Sequence, residues 1–338
     1  MTSRQAAPPA RSAPLAELSG AEVRTDIQGL RAVAVLLVLA FHLWPNLLRG
    51  GYVGVDVFFV ISGFLITSHL LRHPPRRPRD FAEFWGRRIR RLLPASLLVV
   101  AVTVVAGSLV LPASRLAALG AGALSSTFYV QNWTLAFTAV DYLGSTQPPS
   151  PLQHYWSLGV EEQFYLLWPF LIAAAVLLAA RMGRIAARTA VIALFAATSL
   201  AVGIVWTIAD PAFAYFATPT RLWELAAGGL VASSGLVLRA TALPAAVRAV
   251  LGWAGLALIV ASAVLLDEAT PFPGVAALLP VGGAVLLIAA ATDSRPWSPG
   301  WWLAMRPVQF IGDVSYAVYL WHFPLIVLGA ELFGGQLP

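Results

Sequence analysis

Cysteine is missing from the 338 residues, lysine is missing too, and only 11% of positions carry charge. Without cysteine there is no disulfide, no thiolate nucleophile and no cysteine metal site. Without lysine, all 22 basic side chains are arginine. Soluble domains have about 25% charged and about 45–50% apolar residues. This chain is 59% hydrophobic, with a mean hydropathy of +0.76. Those values exclude a soluble globular domain and a disordered chain. No soluble core could hide so much apolar surface, so lipid is the solvent for most of it. The pI of about 10.2 would suit a nucleic-acid binder. The arginines, however, lie mostly between apolar runs, which is the pattern of charges that set membrane topology and not of a nucleic-acid partner.

What is present is a series of apolar runs of spanning length, roughly 17–25 residues. They predict helices near 27–48, 53–72, 92–112, 160–180, 190–209, 221–238, 249–266, 274–292 and 308–332. Residues 1–25, rich in Ala, Pro and Ser, read as a disordered cytoplasmic tail ahead of a transmembrane domain over 26–338. No cleavable signal pattern accompanies the first apolar run, so it reads as a retained helix. The stretch from Leu116 to Thr138 is apolar but carries Ser125, Ser126, Thr127, Gln131 and Asn132. If it does not cross and the N-terminus is cytoplasmic, only Arg49, Arg115 and Arg221 fall outside. If it crosses, the arginines divide far more evenly, against the positive-inside rule. The expected fold is therefore an all-α polytopic integral membrane protein. It has about nine transmembrane helices and an external, re-entrant segment over 116–150. Irregular polar backbone at that depth requires a protein-lined cavity.

Ionisable groups inside spans are costly and usually functional. Arg31 and His42 share the first helix, eleven residues and so about 16 Å apart. Arg31 could simply be a snorkelling anchor and His42 a structural histidine. Asp56 and Ser62 lie in a glycine-rich second span, and a carboxylate there could orient a histidine or raise its pKa. Four arginines fill five positions between Arg87 and Arg91, after a run of aromatics. They suit anionic lipid, a phosphate ligand or plain topology. His69 and His73 are four apart, but no third ligand is near in sequence, so no metal is expected. At the outer entrance of the fourth span stand His154, Trp156, Ser157, Glu161, Glu162 and Gln163. The two adjacent glutamates point about 100° apart. Arg221 and Glu224, three apart, can pair with each other. Ser315 and Tyr316 precede His322, which falls inside the ninth span and would need a partner there.

Taken in order, Arg31 with His42, GVDVFFVISGFLI from Gly54, FWGRRIRRLLPA from Phe84, WSLGVEEQFYLLWP from Trp156, RLWELAAGGL from Arg221 and FIGDVSYAVYLWHFPLIV from Phe310 resemble the acyltransferase-3 family of bacterial inner-membrane proteins. The resemblance covers about residues 24–338. It implies transfer of an acyl group, usually acetyl, from cytoplasmic acyl-CoA to a hydroxyl of an extracytoplasmic carbohydrate or other acceptor. Acetyl-CoA is then the donor, with no metal. It further implies that Arg31, His42 and an RxxR pair serve that activity. Arg88 and Arg91 are favoured over Arg87 and Arg90, since some relatives carry lysine where Arg90 stands. Family members usually have at least ten helices, and many continue into an SGNH-type domain. By that standard a C-terminal part, and its acyl-transfer step, lies beyond Pro338 or comes from a partner.

Under this resemblance Arg31, Arg88 and Arg91 would hold the donor phosphates. His42 would act as general base or as a transient acyl carrier. Asp56, Glu161 or Glu162 could hold its tautomer. A transporter or flippase for lipid-linked sugar would also need helices, a cavity and buried charges. It accounts poorly for the arginine cluster, and the chain has no internal repeat of the transporter kind.

Overall fold

The structure, a computed structural model, describes residues 24–142, 149–183, 186–292 and 295–334. Most of the expected N-terminal tail and Arg184 lie outside the described residues. Within them the secondary structure is helical. The helices are α1 (Thr25–Leu43), α2 (Gly54–Arg72), α3 (Pro78–Val110), α4 (Ala113–Thr127), α5 (Gln131–Tyr142), α6 (Tyr155–Met182) and α7 (Ala186–Ala209). They continue as α8 (Pro211–Phe216), α9 (Thr218–Ser233), α10 (Leu236–Thr241), α11 (Ala245–Leu265), α12 (Leu278–Ala290), α13 (Pro299–Leu303) and α14 (Arg306–Leu332). Seven are long and apolar enough to cross a membrane, with the short Gly51–Val53 turn counted into α2. The chain is an all-α, multi-pass membrane protein.

Each of the nine expected spans has a helix, but the bounds differ in instructive ways. At 1.5 Å per residue, the 16 residues of α9 reach about 24 Å and the 13 of α12 about 20 Å. Both are shorter than a ~30 Å hydrocarbon core. Pro219 opens α9, and Gly235, in the left-handed region at φ 71°, follows its end. The apolar residues beyond, expected within the same span, belong to a separate short helix, α10. Conversely, α3 has 33 residues, about 50 Å. Pro78 sits at its start, where its missing N–H is no loss. The backbone N–H groups of Arg76 and Arg77 both donate to Asp80 Oδ2 at 2.9 Å. The arginine segment expected as loop is thus a rigid extension of a spanning helix.

The stretch 116–138 is broken by Tyr129, a non-glycine residue at φ 55°. Neither α4, about 22 Å long, nor α5, about 18 Å, is long enough to span. Its polar groups are buried against protein. Asn132 Nδ2 donates to Thr218 Oγ1 (2.9 Å) and to the Phe216 carbonyl (3.1 Å). Gln163 Nε2 donates to the Tyr129 carbonyl and to Asn132 Oδ1, both at 2.9 Å. Ser125 bonds Gln131. These partners replace the water that lipid cannot supply.

The core of the bundle is the contact of α2 with α9. A Cβ on Gly63 would lie 1.7 Å from the Leu225 carbonyl oxygen, and one on Gly228 2.0 Å from that of Val60. Only hydrogen fits there, which lets the two backbones touch as small residues do in membrane helix packing. Outward, Leu109, Leu194, Ile208, Val250 and Leu265 are exposed, the surface expected where lipid is the solvent.

Candidate functional site

Among the described residues, two cavities inside the bundle bring site residues together. The larger, about 730 Å³, receives side chains from α1, α2, α3, α6 and α14. Arg31 comes from α1 and Arg87, Arg88 and Arg91 from the extension of α3. Spacings of three and four put these three on one helix face. Arg88 carries its guanidinium carbon 3.3 Å from the centre of the Tyr165 ring, and its Nε is buried without a partner among the described residues. A half-buried guanidinium with an unused N–H is a ready donor to an anionic oxygen. Arg31 Nη1 donates to Gln28 Oε1 at 3.1 Å. Glu161, Glu162 and Asp313 face the same cavity, and Glu161 bonds with Ser62 and Tyr165, which also bond each other. Ser315 Oγ donates to the Gly312 carbonyl at 2.8 Å and Tyr316 Oη to that of Leu92 at 3.1 Å, fixing the wall on which α14 meets α3.

The smaller cavity, about 240 Å³, holds His42 and His154 among aromatic walls that include Tyr52, Trp156 and Tyr215. His42 is in the last turn of α1. Its Nδ1 lies 2.9 Å from the Val38 carbonyl oxygen, which can only accept, so Nδ1 carries the hydrogen and Nε2 keeps a free lone pair. His322 lies beside it, with ring centres 5.1 Å apart, and His154 is 5.4 Å from His322. Both neighbours are likewise anchored on main-chain carbonyls, His322 Nδ1 to Tyr319 at 2.6 Å and His154 Nε2 to Leu320 at 3.1 Å. Among the described residues no group of three His, Cys, Asp or Glu side chains converges as a metal site. The two cavities share a wall made of Val55 and Tyr319.

The expected carboxylate partner of His42 is not there. Asp56 Oδ1 and Glu224 Oε1 each accept from Arg221 Nη1 at 2.9 Å, all three groups being about 1% exposed or less. A guanidinium neutralising two carboxylates is a stronger partner for Asp56 than a neutral imidazole. Glu161 is spent on Ser62 and Tyr165, and both Glu161 and Glu162 line the arginine cavity. Arg221 Nε also donates to the Tyr215 carbonyl at 3.0 Å, and the guanidinium lies over Trp156 and Tyr215 at 5.2 and 4.9 Å.

The arginines read from sequence thus gather on one cavity with Glu161, Glu162, Ser157, Ser315 and Tyr316. His42 and Trp156 stand on the other, with His322 packed beside them. Asp56, Arg221 and Glu224 form a buried ion cluster. Sequence reasoning left out Tyr319 and Tyr165, ranked Arg87 below Arg88, and named His154 at the entrance of a span without giving it a role. The one signal for His154 was a polar ring placed just before a span.

A family model described as an acyltransferase domain matches residues 24–337. The peptidoglycan O-acetyltransferase OatA of Listeria monocytogenes serovar 1/2a is 37% identical over 311 residues, 90% of this chain and 49% of that protein. The O-acetyltransferase OatA of Staphylococcus aureus (strain NCTC 8325 / PS 47) is 33% identical over 330 residues, 92% of this chain and 52% of that protein. The chain spans about half the length of these curated relatives. No solved structure matches it.

Proposed function

The chain belongs to the acyltransferase-domain family, and from that premise we propose that it moves an acetyl group from acetyl-CoA to a hydroxyl of an extracytoplasmic glycan, peptidoglycan by analogy with the relatives. One observation carries the reading: a cavity rimmed by four arginines meets, at Val55 and Tyr319, a second cavity that holds His42. Acyl-CoA carries several phosphate charges that cannot enter lipid. Arg31, Arg87, Arg88 and Arg91 supply forked, permanent cations for them. A cavity of about 730 Å³ lies in the range of small-molecule sites. The pantetheine arm would run from the arginines to the shared wall and stop with the thioester there, its sulfur still on the arginine side and its carbonyl carbon turned toward His42. There the free Nε2 takes the acceptor's proton or carries the acyl group in transit. The test is mass spectrometry of cell-wall glycan in cells lacking related genes, with and without this one. The expected result is one added acetyl group per modified sugar; an unchanged glycan mass with the protein in the membrane would overturn the reading.

Loss of a charge-assisted contact to a partly buried anion costs about 1.5–3 kcal/mol. Arg88→Ala or Arg91→Ala is therefore expected to weaken acetyl-CoA binding about ten- to a hundredfold. Equilibrium binding to detergent-purified protein checks it, and unchanged affinity in both variants refutes the assignment.

The same reading places the arginine cavity on the cytoplasmic side of the inner membrane, with the N-terminus also inside. A single cysteine replacing Ala186 is expected to resist an impermeant reagent added to intact cells and to react once the membrane is opened. Labelling from outside would reverse the orientation.

A further inference from the structure

Acyl transfer from a thioester to an alcohol is neutral in protons, but the proton must change places. It leaves the acceptor oxygen beside His42 and ends on the donor sulfur on the arginine side. The wall between the two cavities is Val55, which cannot carry a proton, and Tyr319, which can. The Tyr319 hydroxyl is 2.5 Å from Ser157 Oγ, and either can be the donor. Ser157 lines the arginine cavity, whereas Tyr319 lines both. Both side chains are buried, and both can donate to one carbonyl, that of His154, Tyr319 at 3.1 Å and Ser157 at 3.4 Å. Two hydroxyls sharing one acceptor have two proton arrangements. In one, Ser157 donates to Tyr319 and Tyr319 to the carbonyl. In the other, Tyr319 donates to Ser157 and the Ser157 proton is free for the carbonyl or for a stronger acceptor in the arginine cavity.

We propose that the Tyr319–Ser157 hydroxyl pair is the path that returns the acceptor's proton to the donor's sulfur, an inference that rests on the acyl-transfer reading above. His42 Nε2 takes the proton from the acceptor O–H as that oxygen attacks the thioester carbonyl carbon. The C–S bond breaks and its electron pair goes to sulfur. The thiolate takes the proton of Ser157 Oγ, and Ser157 takes that of Tyr319. Tyr319 takes the one held by His42 through a water in the smaller cavity. An O-acyl product and a free thiol result, with His42, Tyr319 and Ser157 as they began. Were the acyl group to rest first on His42, the same net transfer would still be needed.

The test uses the full chain in phospholipid vesicles with acetyl-CoA and a solubilised peptidoglycan oligosaccharide. A wild-type protein that transfers nothing refutes the functional reading; the relay is judged only against a wild type that does transfer. Tyr319→Phe keeps the ring and Ser157→Ala keeps the backbone. Each is expected to lower kcat by about 10²-fold, the low end for a lost proton-transfer group, with the KM for acetyl-CoA little changed. Ser157→Thr keeps a hydroxyl and should stay near the wild-type rate. The double variant should be no slower than the slower single one, because both break one path. The solvent deuterium isotope effect on kcat should rise in the single variants, as proton delivery becomes limiting. A wild-type kcat in Tyr319→Phe overturns the relay. So does a loss of kcat at an unchanged isotope effect, which would mark a packing role. If Tyr319→Phe does not fold, Ser157→Ala against Ser157→Thr decides alone.

Discussion

His42→Ala is expected to abolish measurable acyl transfer while leaving acetyl-CoA binding nearly intact. The expectation follows from where the groups lie. Arg31 and His42 are on one helix, about 16 Å apart by helical rise, and they face different cavities. On the proposed reading the arginines would therefore hold the donor without help from the imidazole. Removing a general base typically costs about 10²–10⁴ in rate, and removing an acyl carrier costs no less. His42 Nδ1 is held by the Val38 carbonyl of its own helix, and that carbonyl is also the i−4 acceptor of the residue-42 backbone N–H, so His42→Ala leaves it with its helical partner. The loss should fall on chemistry and not on folding. Acetyl-CoA binding and acetyl transfer, measured side by side on purified protein, separate the two. Retention of more than about a tenth of the wild-type rate, or a loss of binding as deep as in Arg88→Ala, would return His42 to a structural role.

The second large effect is on stability. Arg221→Met should sharply reduce the folded yield in detergent and lower the unfolding temperature. Arg221 joins Asp56 on α2 to Glu224 on its own helix and to the main chain of α8, in surroundings about 1% exposed. Breaking a buried pair by removing one partner costs about 3–5 kcal/mol, because a charge is stranded. Here two carboxylates are stranded, each already with one oxygen lacking a partner. Replacing all three members by uncharged groups of similar size strands nothing. Arg221→Met combined with Asp56→Asn and Glu224→Gln should recover much of the loss. Thermal unfolding followed by fluorescence-detected gel filtration measures both. A wild-type unfolding temperature for Arg221→Met, or a triple variant no better than the single one, would show that the cluster does not hold α2 to α9.

The parts legible in the sequence are those with a one-dimensional signal. A ~30 Å slab of hydrocarbon demands a long apolar run, so the nine helices could be found by eye. The arginines between 87 and 91 were legible as a charge cluster and do converge on a cavity. Where helices begin was less visible. The starts of α3 and α6 are polar and depend on Asp80 capping two N–H groups and on side chains that face protein, not lipid. Pairing across 165 positions, as between Asp56 and Arg221, has no local trace. A carboxylate in the next span looked like a natural partner for His42, and only the fold reveals that a guanidinium takes it first. The wall shared by the cavities was invisible for the same reason: Tyr319 and Ser157 are 162 positions apart.

The ion cluster also bears on how the chain is made. Asp56 is in the first turn of α2, and its counter-charge arrives only with α9, after α3 to α8 have been synthesised. Charged residues near the middle of a helix cost insertion about 2.5–3.5 kcal/mol each. A site in the first turn, near the headgroups, is where an unpaired carboxylate is cheapest to keep during that interval. Arg221 is likewise in the first turn of a helix too short to span unaided. The ribosome therefore delivers α2 as an unfinished half, and the α2–α9 seam closes late in biogenesis. Nascent chains released before Ser233 should be the ones that quality-control proteases recognise, because each carries Asp56 without the completed α9 that neutralises it.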